Sequence, residues 1–147
     1  MELGTALADD VPQLAELLGI LFAQEHELAP DPLKQRRALE LILADPSRAR
    51  VYVAREGKRV IAMAALHFTV STAEGGRVAG LEDCVVHPDR RGKGIGEKFL
   101  GYVLDQARKE GLLRVMLLTD GDNRRAQALY QKLGFKPSSM LAMRLKL

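Results

Sequence analysis

The sequence predicts an α/β domain, α+β in a stricter scheme: a twisted, mostly antiparallel mixed sheet with helices on both faces and one splayed pair of parallel strands. Three observations lead there. Extended stretches rich in β-branched residues occupy Arg50 to Arg55, Val60 to Val70 and Val78 to His87, with turn residues between them. Apolar residues at helical spacing fill the segments before and after that block. A glycine-rich loop then joins the third strand to a long helix and a further strand, a right-handed crossover that makes its two strands parallel.

Taken in order, Leu3 to Ala8 reads as a first strand. Asp9 or Asp10 followed by Val11-Pro12 supplies a helix N-cap with proline in the first turn. Leu14, Leu17, Leu18, Leu21 and Phe22 carry one apolar face of that helix to about Glu27. Asp31-Pro32 repeats the start signal for a second helix with Leu33, Leu39, Ile42 and Leu43. It ends near Asp45-Pro46, because the residue before proline avoids helical angles. Glu56-Gly57-Lys58 turns one hairpin and Ala73-Glu74-Gly75-Gly76 the next, so the three strands form a meander. Pro88 ends the third strand, Ile95, Phe99, Val103 and Ala107 trace the long helix, and Gly111 stops it. Val115 to Thr119 is a buried strand, Arg124 to Leu133 a short helix closed by Gly134, and Met140 to Leu147 a final strand. With no repeat and no linker long enough to divide it, the chain 1–147 is expected to be a single domain.

Composition narrows the function. At 147 residues with 47% hydrophobic side chains the chain can bury one ordinary core, and no apolar run reaches membrane-spanning length. Acidic residues near the start do not suit a signal peptide, so a soluble cytoplasmic protein without a membrane partner is expected. Cys84 is the only cysteine, which excludes an internal disulfide and a zinc site of several thiolates. His26, His67 and His87 lie far apart without ligand spacing, so no metal is expected. A net charge of +3 and 5% aromatic content argue against a nucleic-acid partner. The basic residues gather instead around Arg90, Arg91 and Lys93, and at Arg124 and Arg125, which suits a small phosphorylated ligand.

The loop Arg91-Gly92-Lys93-Gly94-Ile95-Gly96 lies between a strand and a helix N-terminus, where free backbone N–H groups and the helix dipole favour an anion. Glycines let the backbone approach a pyrophosphate closely, and Arg91 and Lys93 add positive charge. Gly96 is followed by Glu97-Lys98-Phe99, with no hydroxyl for magnesium, so a triphosphate P-loop does not fit. A dinucleotide loop belongs early in repeated βαβ units, whereas this one follows three strands of a meander.

Arg91, Gly94 and Gly96 match the signature [QR]-x-x-G-x-[GA], and here the sequence resembles the GNAT superfamily of N-acetyltransferases. The likeness extends to Leu81-Glu82-Asp83-Cys84-Val85-Val86-His87-Pro88 and to the segment from Asn123 to Phe135, with Ala126, Leu129-Tyr130 and Leu133-Gly134-Phe135. It covers nearly the whole chain. It implies a GNAT-like acyl-CoA N-acyltransferase fold, with acetyl-CoA as co-substrate between the two parallel strands. It also implies transfer of the acetyl group to a primary amine by direct attack in a ternary complex. The Glu82-Asp83 start resembles members acting on small amines, and a homodimer is the expected assembly. A non-catalytic acyl-CoA-binding regulatory module and a protein or peptide acetyltransferase are the alternatives.

The resemblance implies that the strand segment Cys84, Val85 and Val86 pairs with the pantetheine arm, and that the amide of Val86 polarises the thioester. It places the pyrophosphate on Arg91, Gly92, Lys93 and Gly94, continuing into Ile95, Gly96 and Glu97. Asn123 would bond the pantetheine arm, Tyr130 would give a proton to the departing thiolate, and Glu82 would accept the proton of the amine. Regular strand alternation puts Glu82, Cys84 and Val86 on one face and Leu81, Asp83 and Val85 on the other, so Glu82 and Asp83 are not expected to act as a pair. With no histidine partner evident, Cys84 reads as a small strand residue and a covalent acetyl-cysteine is not expected. Gln24, Glu25, His26, Glu27 and Asp31, between the first two helices, form an acidic cluster suited to an ammonium substrate.

Overall fold

The computed structural model describes residues 1–147, which fall into two compact units, Met1–Leu117 and Leu118–Leu147. In the first unit, β1 (Glu2–Thr5), β2 (Ala49–Glu56), β3 (Arg59–Ser71), β4 (Gly76–Val86) and β5 (Val115–Leu117) form one sheet in that spatial order. Neighbours are antiparallel except β4 and β5, which are parallel, as the crossover through α3 (Ile95–Lys109) requires. Two further helices, α1 (Val11–Gln24) and α2 (Pro32–Ala44), join β1 to β2. No helix is long and apolar enough to cross a membrane.

Alternation along the strands sorts the core into two layers. Val51, Val53, Met63, Ala65 and Val85 pack with Leu14, Leu17 and Leu18 of α1 and Leu39 of α2. Tyr52, Ala64 and Leu66 point the other way, toward the α3 side, where Phe99, Leu100 and Val103 are buried and the Tyr102 ring meets Tyr52 edge-on at 6.1 Å. The C-terminal end of α3 is pinned to the sheet: Glu110 is paired with Arg50 and with Arg77 (3.8 Å). Both guanidinium groups lie against the Phe68 ring, 5.4 and 4.8 Å from its centroid.

Helix starts follow the sequence signals, with one exchange of partner. Asp31 caps α2 by accepting from Lys34 N at 3.3 Å. Asp10, the expected cap of α1, makes no such bond. Its carboxylate is buried and turned to the Arg55 guanidinium in a two-pronged pair of 2.9 and 2.7 Å, and accepts from Leu7 N at 2.7 Å. A charged bidentate bond outcompetes a neutral cap.

The second unit contains α4 (Arg124–Lys132). The expected final strand, Met140 to Leu147, is not formed: these residues have no ladder partner, and Met140, Leu141, Met143 and Leu145 are exposed. Alternation marks a chain that can be a strand, but a strand exists only beside another. For the same reason β5 is shorter than expected, stopping at Leu117 where its pairing with β4 stops.

Candidate active site

β4 and β5 pair over only three positions, Ala79 with Val115 through Leu81 with Leu117, while β4 runs on to Val86. Beyond Leu81 the outer edge of β4 is therefore open. The amide of His87 donates to Ile61 O at 2.8 Å, toward β3, so by the alternation of the ladder the amide of Val86 faces the open edge. The carbonyl of Val86 accepts from Arg91 Nε at 2.9 Å, and Arg91 Nη2 reaches Gln24 Oε1 at 3.5 Å. Arg91 thus braces the loop on the strand end, a role the sequence did not disclose.

Gly92 and Gly94 both adopt φ +76°, a left-handed conformation that glycine takes without penalty. Gly94 stands immediately before α3, and its carbonyl accepts the first helical bond, from Lys98 N at 3.2 Å. The N–H groups of Ile95, Gly96 and Glu97 begin the helix without intrahelical acceptors and point out of its start. A Cβ built at Gly94 meets no atom within 4 Å, so the backbone angle requires the glycine and the space above it is clear for a ligand. Lys93 is exposed beside it.

The carboxylates of β4 depart from expectation. Met63 stands opposite Val85 and Ala65 opposite Glu82, leaving both Asp83 and Cys84 across from Ala64. This is a β-bulge, with Asp83 at φ +55°. One extra residue reverses the alternation, so the expected faces are wrong: Glu82 shares a face with Val85, Met63 and Ala65, and Leu81 shares the other with Val86. The expectation that Glu82 and Asp83 stand apart is overturned with it. Their carboxylates and the imidazole of His67 have donor atoms all within 4.8 Å of one another, and His67 Nε2 lies 3.7 Å from Glu82 Oε2. His67, two residues beyond Ala65 on β3, reaches the group because it sits on the same face. Burial pushes the Asp83 carboxyl up to about 6; the negative charges of Glu82 and Glu25 push the same way and His67 opposes them.

In the second unit, Asn123 Oδ1 caps α4 by accepting from Ala126 N at 3.2 Å, which leaves its amide nitrogen as the end that can donate. Gly134, at φ +104°, closes the helix, and Phe135 N returns to Tyr130 O at 3.0 Å. The Tyr130 ring lies edge-on to Phe135 at 5.9 Å. Arg124 and Arg125 are exposed.

Known proteins resemble this chain. Mycothiol acetyltransferase of Nocardiopsis dassonvillei is 33% identical over 121 residues, 76% of this chain and 34% of its own length. Thialysine N-epsilon-acetyltransferase of Bos taurus is 35% identical over 79 residues, 54% of this chain and 46% of its own. The chain thus spans less than half the length of either curated relative. A Clostridium acetobutylicum structure described as an acetyltransferase with acetyl-CoA superposes with a TM-score of 0.77 at 21% identity, covering 97% of this chain and 95% of that one, a likeness of fold. The family model described as "Acetyltransferase (GNAT) family" matches residues 11–135. Because that match begins at the first residue of α1 and takes in both the loop before α3 and the segment from Asn123 to Phe135, the chain belongs to the GNAT acetyltransferase family.

Proposed function

We propose that the chain transfers an acetyl group from acetyl-CoA to the primary amine of a small molecule, by direct attack in a ternary complex. One observation carries this reading: β4 runs on past its ladder with β5 and leads straight into the glycine turn and the first amides of α3. A strand end that runs past its ladder with β5 into an anion cradle suits an extended, amide-bearing arm that terminates in pyrophosphate. The family match across 11–135 takes in residues of both units.

Acetyl-CoA supplies the activated acetyl group. The backbone of Cys84, Val85 and Val86 offers the edge for its arm, with the Val86 amide turned outward to stabilise oxyanion charge. Gly92, Lys93 and Gly94 together with the amides of Ile95, Gly96 and Glu97 receive the pyrophosphate, and Arg91 holds the turn in place. Asn123 bonds the arm, Tyr130 protonates the departing sulfur, and one carboxylate of the Glu82 and Asp83 pair takes the proton of the amine. A binding module that only senses acyl-CoA has no use for a carboxylate pair beside an imidazole, which favours the enzyme.

Acetyl-CoA should stabilise the folded chain by about 2.7 kcal/mol at a free concentration about 100 times its dissociation constant. Thermal melting with acetyl-CoA, ATP and NAD checks this, and a shift with ATP or NAD alone would sink the reading. A panel of thialysine, alkyl diamines and amino-sugar phosphates, followed by product mass, then identifies the acceptor. Gly94→Val puts a branched side chain both at φ +76° and in the clear space above the loop, so acetyl-CoA affinity should collapse. Calorimetric titration of the folded variant measures it; wild-type affinity there would move the cradle elsewhere.

A further inference from the structure

We propose that Asp83, rather than Glu82, takes the proton of the acceptor ammonium, and that His67 is a positioning residue that lies close to both carboxylates and relays the proton outward. This rests on the N-acetyltransferase reading above. The bulge is the first ground: without the extra residue opposite Ala64, Asp83 would follow the regular alternation away from Glu82 and His67. A non-glycine residue held at φ +55° is uncommon, and such positions gather where a side chain must be aimed. The second ground is the gradient of exposure. Glu82 is 65% exposed at its side chain and open to water, whereas Asp83 is largely enclosed. The third is His67, whose Nε2 atom is shielded from solvent, makes no hydrogen bond within the protein, and lies 3.7 Å from Glu82 Oε2.

The groups that face Asp83 are Glu82 on its own strand, His67 from β3 and Glu25 just past the end of α1. Their balance, with burial, leaves Asp83 a stronger base than an ordinary aspartate, ionised at neutral pH and protonated near pH 6. The reaction then balances as follows. The ammonium gives one proton to Asp83, and the neutral nitrogen attacks the thioester carbonyl. A C–N bond forms, and the C–S bond breaks with its electron pair leaving on sulfur. Sulfur takes the proton of Tyr130, whose phenolate takes the second proton of the nitrogen. Amide and thiol result, and the proton on Asp83 passes to His67 Nε2, then to Glu82 and water.

The full-length variants Asp83→Asn, Asp83→Gly, Glu82→Gln and His67→Gln test this. Asp83→Gly keeps the left-handed backbone and removes only the carboxylate, so it separates chemistry from folding. Two readouts apply: carboxyl ¹³C titration by NMR, which needs no substrate, and kcat/KM against pH with the fastest amine of the panel. Both Asp83 variants should lose about 10²-fold or more in turnover, together with the fall in rate below about pH 6, and added formate should partly rescue Asp83→Gly. Glu82→Gln, which removes a negative neighbour, should move the Asp83 titration and the acid limb to lower pH. His67→Gln, which removes the group that holds the Asp83 value down, should move both to higher pH. An Asp83 carboxyl that titrates like an exposed aspartate overturns the proposal, as does an acid limb that survives in Asp83→Gly and vanishes in Glu82→Gln. A purely structural His67 would lower the rate without moving the limb. Failure to bind acetyl-CoA or to acetylate any amine would count against the enzyme reading alone, since the NMR titration still decides the order of the carboxylates.

Discussion

On the proposed reading, Tyr130→Phe should lower turnover by about 10² to 10⁴ while leaving acetyl-CoA affinity nearly unchanged, the usual cost of removing a general acid. The substitution keeps the ring that packs edge-on against Phe135 and leaves both ends of α4 intact, since Asn123 caps the start and Gly134 closes the finish through the backbone. What disappears is one hydroxyl proton. A phenol holds its proton only somewhat more tightly than a thiol does, so donation to a departing thiolate is nearly balanced. Turnover at saturating amine, followed across pH, measures the loss, and calorimetry measures cofactor affinity beside it. Full turnover in the variant would leave the ring with a packing role only.

The second large effect concerns stability. Asp10→Ala should cost about 3 to 5 kcal/mol, because it strands the Arg55 guanidinium, only 18% exposed, without its two-pronged partner. It also leaves Leu7 N without its acceptor. The hydrogen bonds from Arg55 hold the Asp10 carboxyl below the ordinary range, partly opposed by its burial. A depressed folded value means that the pair stabilises the protein above the unfolded carboxyl value of about 3.9 and loses that contribution as pH falls through the lower folded value. Urea unfolding at neutral pH should therefore show the full difference between wild type and variant, and unfolding well below pH 4 a smaller one. An equal difference at both would mean that packing rather than charge is lost.

The sequence makes the local chemistry of this fold plain. Val11-Pro12 and Asp31-Pro32 start helices where they were expected, and Gly57, Gly75, Gly111 and Gly134 all occupy left-handed turns at element ends. The glycine loop stands at a helix start, as its composition demands. What escapes is whatever depends on a partner distant in the chain. Arg55, 45 residues along, draws Asp10 from capping to ion pairing. The bulge carries no glycine to announce it, yet its single residue sends Glu82 to the opposite face and brings in His67. Met140 to Leu147 has the right rhythm for a strand, and rhythm does not supply a neighbour.

The open edge of β4 has a cost in solution as well as a use. An uncovered strand offers the same donors and acceptors to any extended peptide, including one from another molecule of the same chain, and such edges seed unwanted association. Here Arg91 occupies the Val86 carbonyl, and the bulge at Asp83 breaks the flat run, so a would-be added strand meets a charged obstruction and a kink. That protection is partial, because the Val86 amide stays available. On the proposed reading, a bound pantetheine arm completes it, so colloidal behaviour is coupled to ligation: concentrated chain keeps its solubility best when saturated with the compound it consumes.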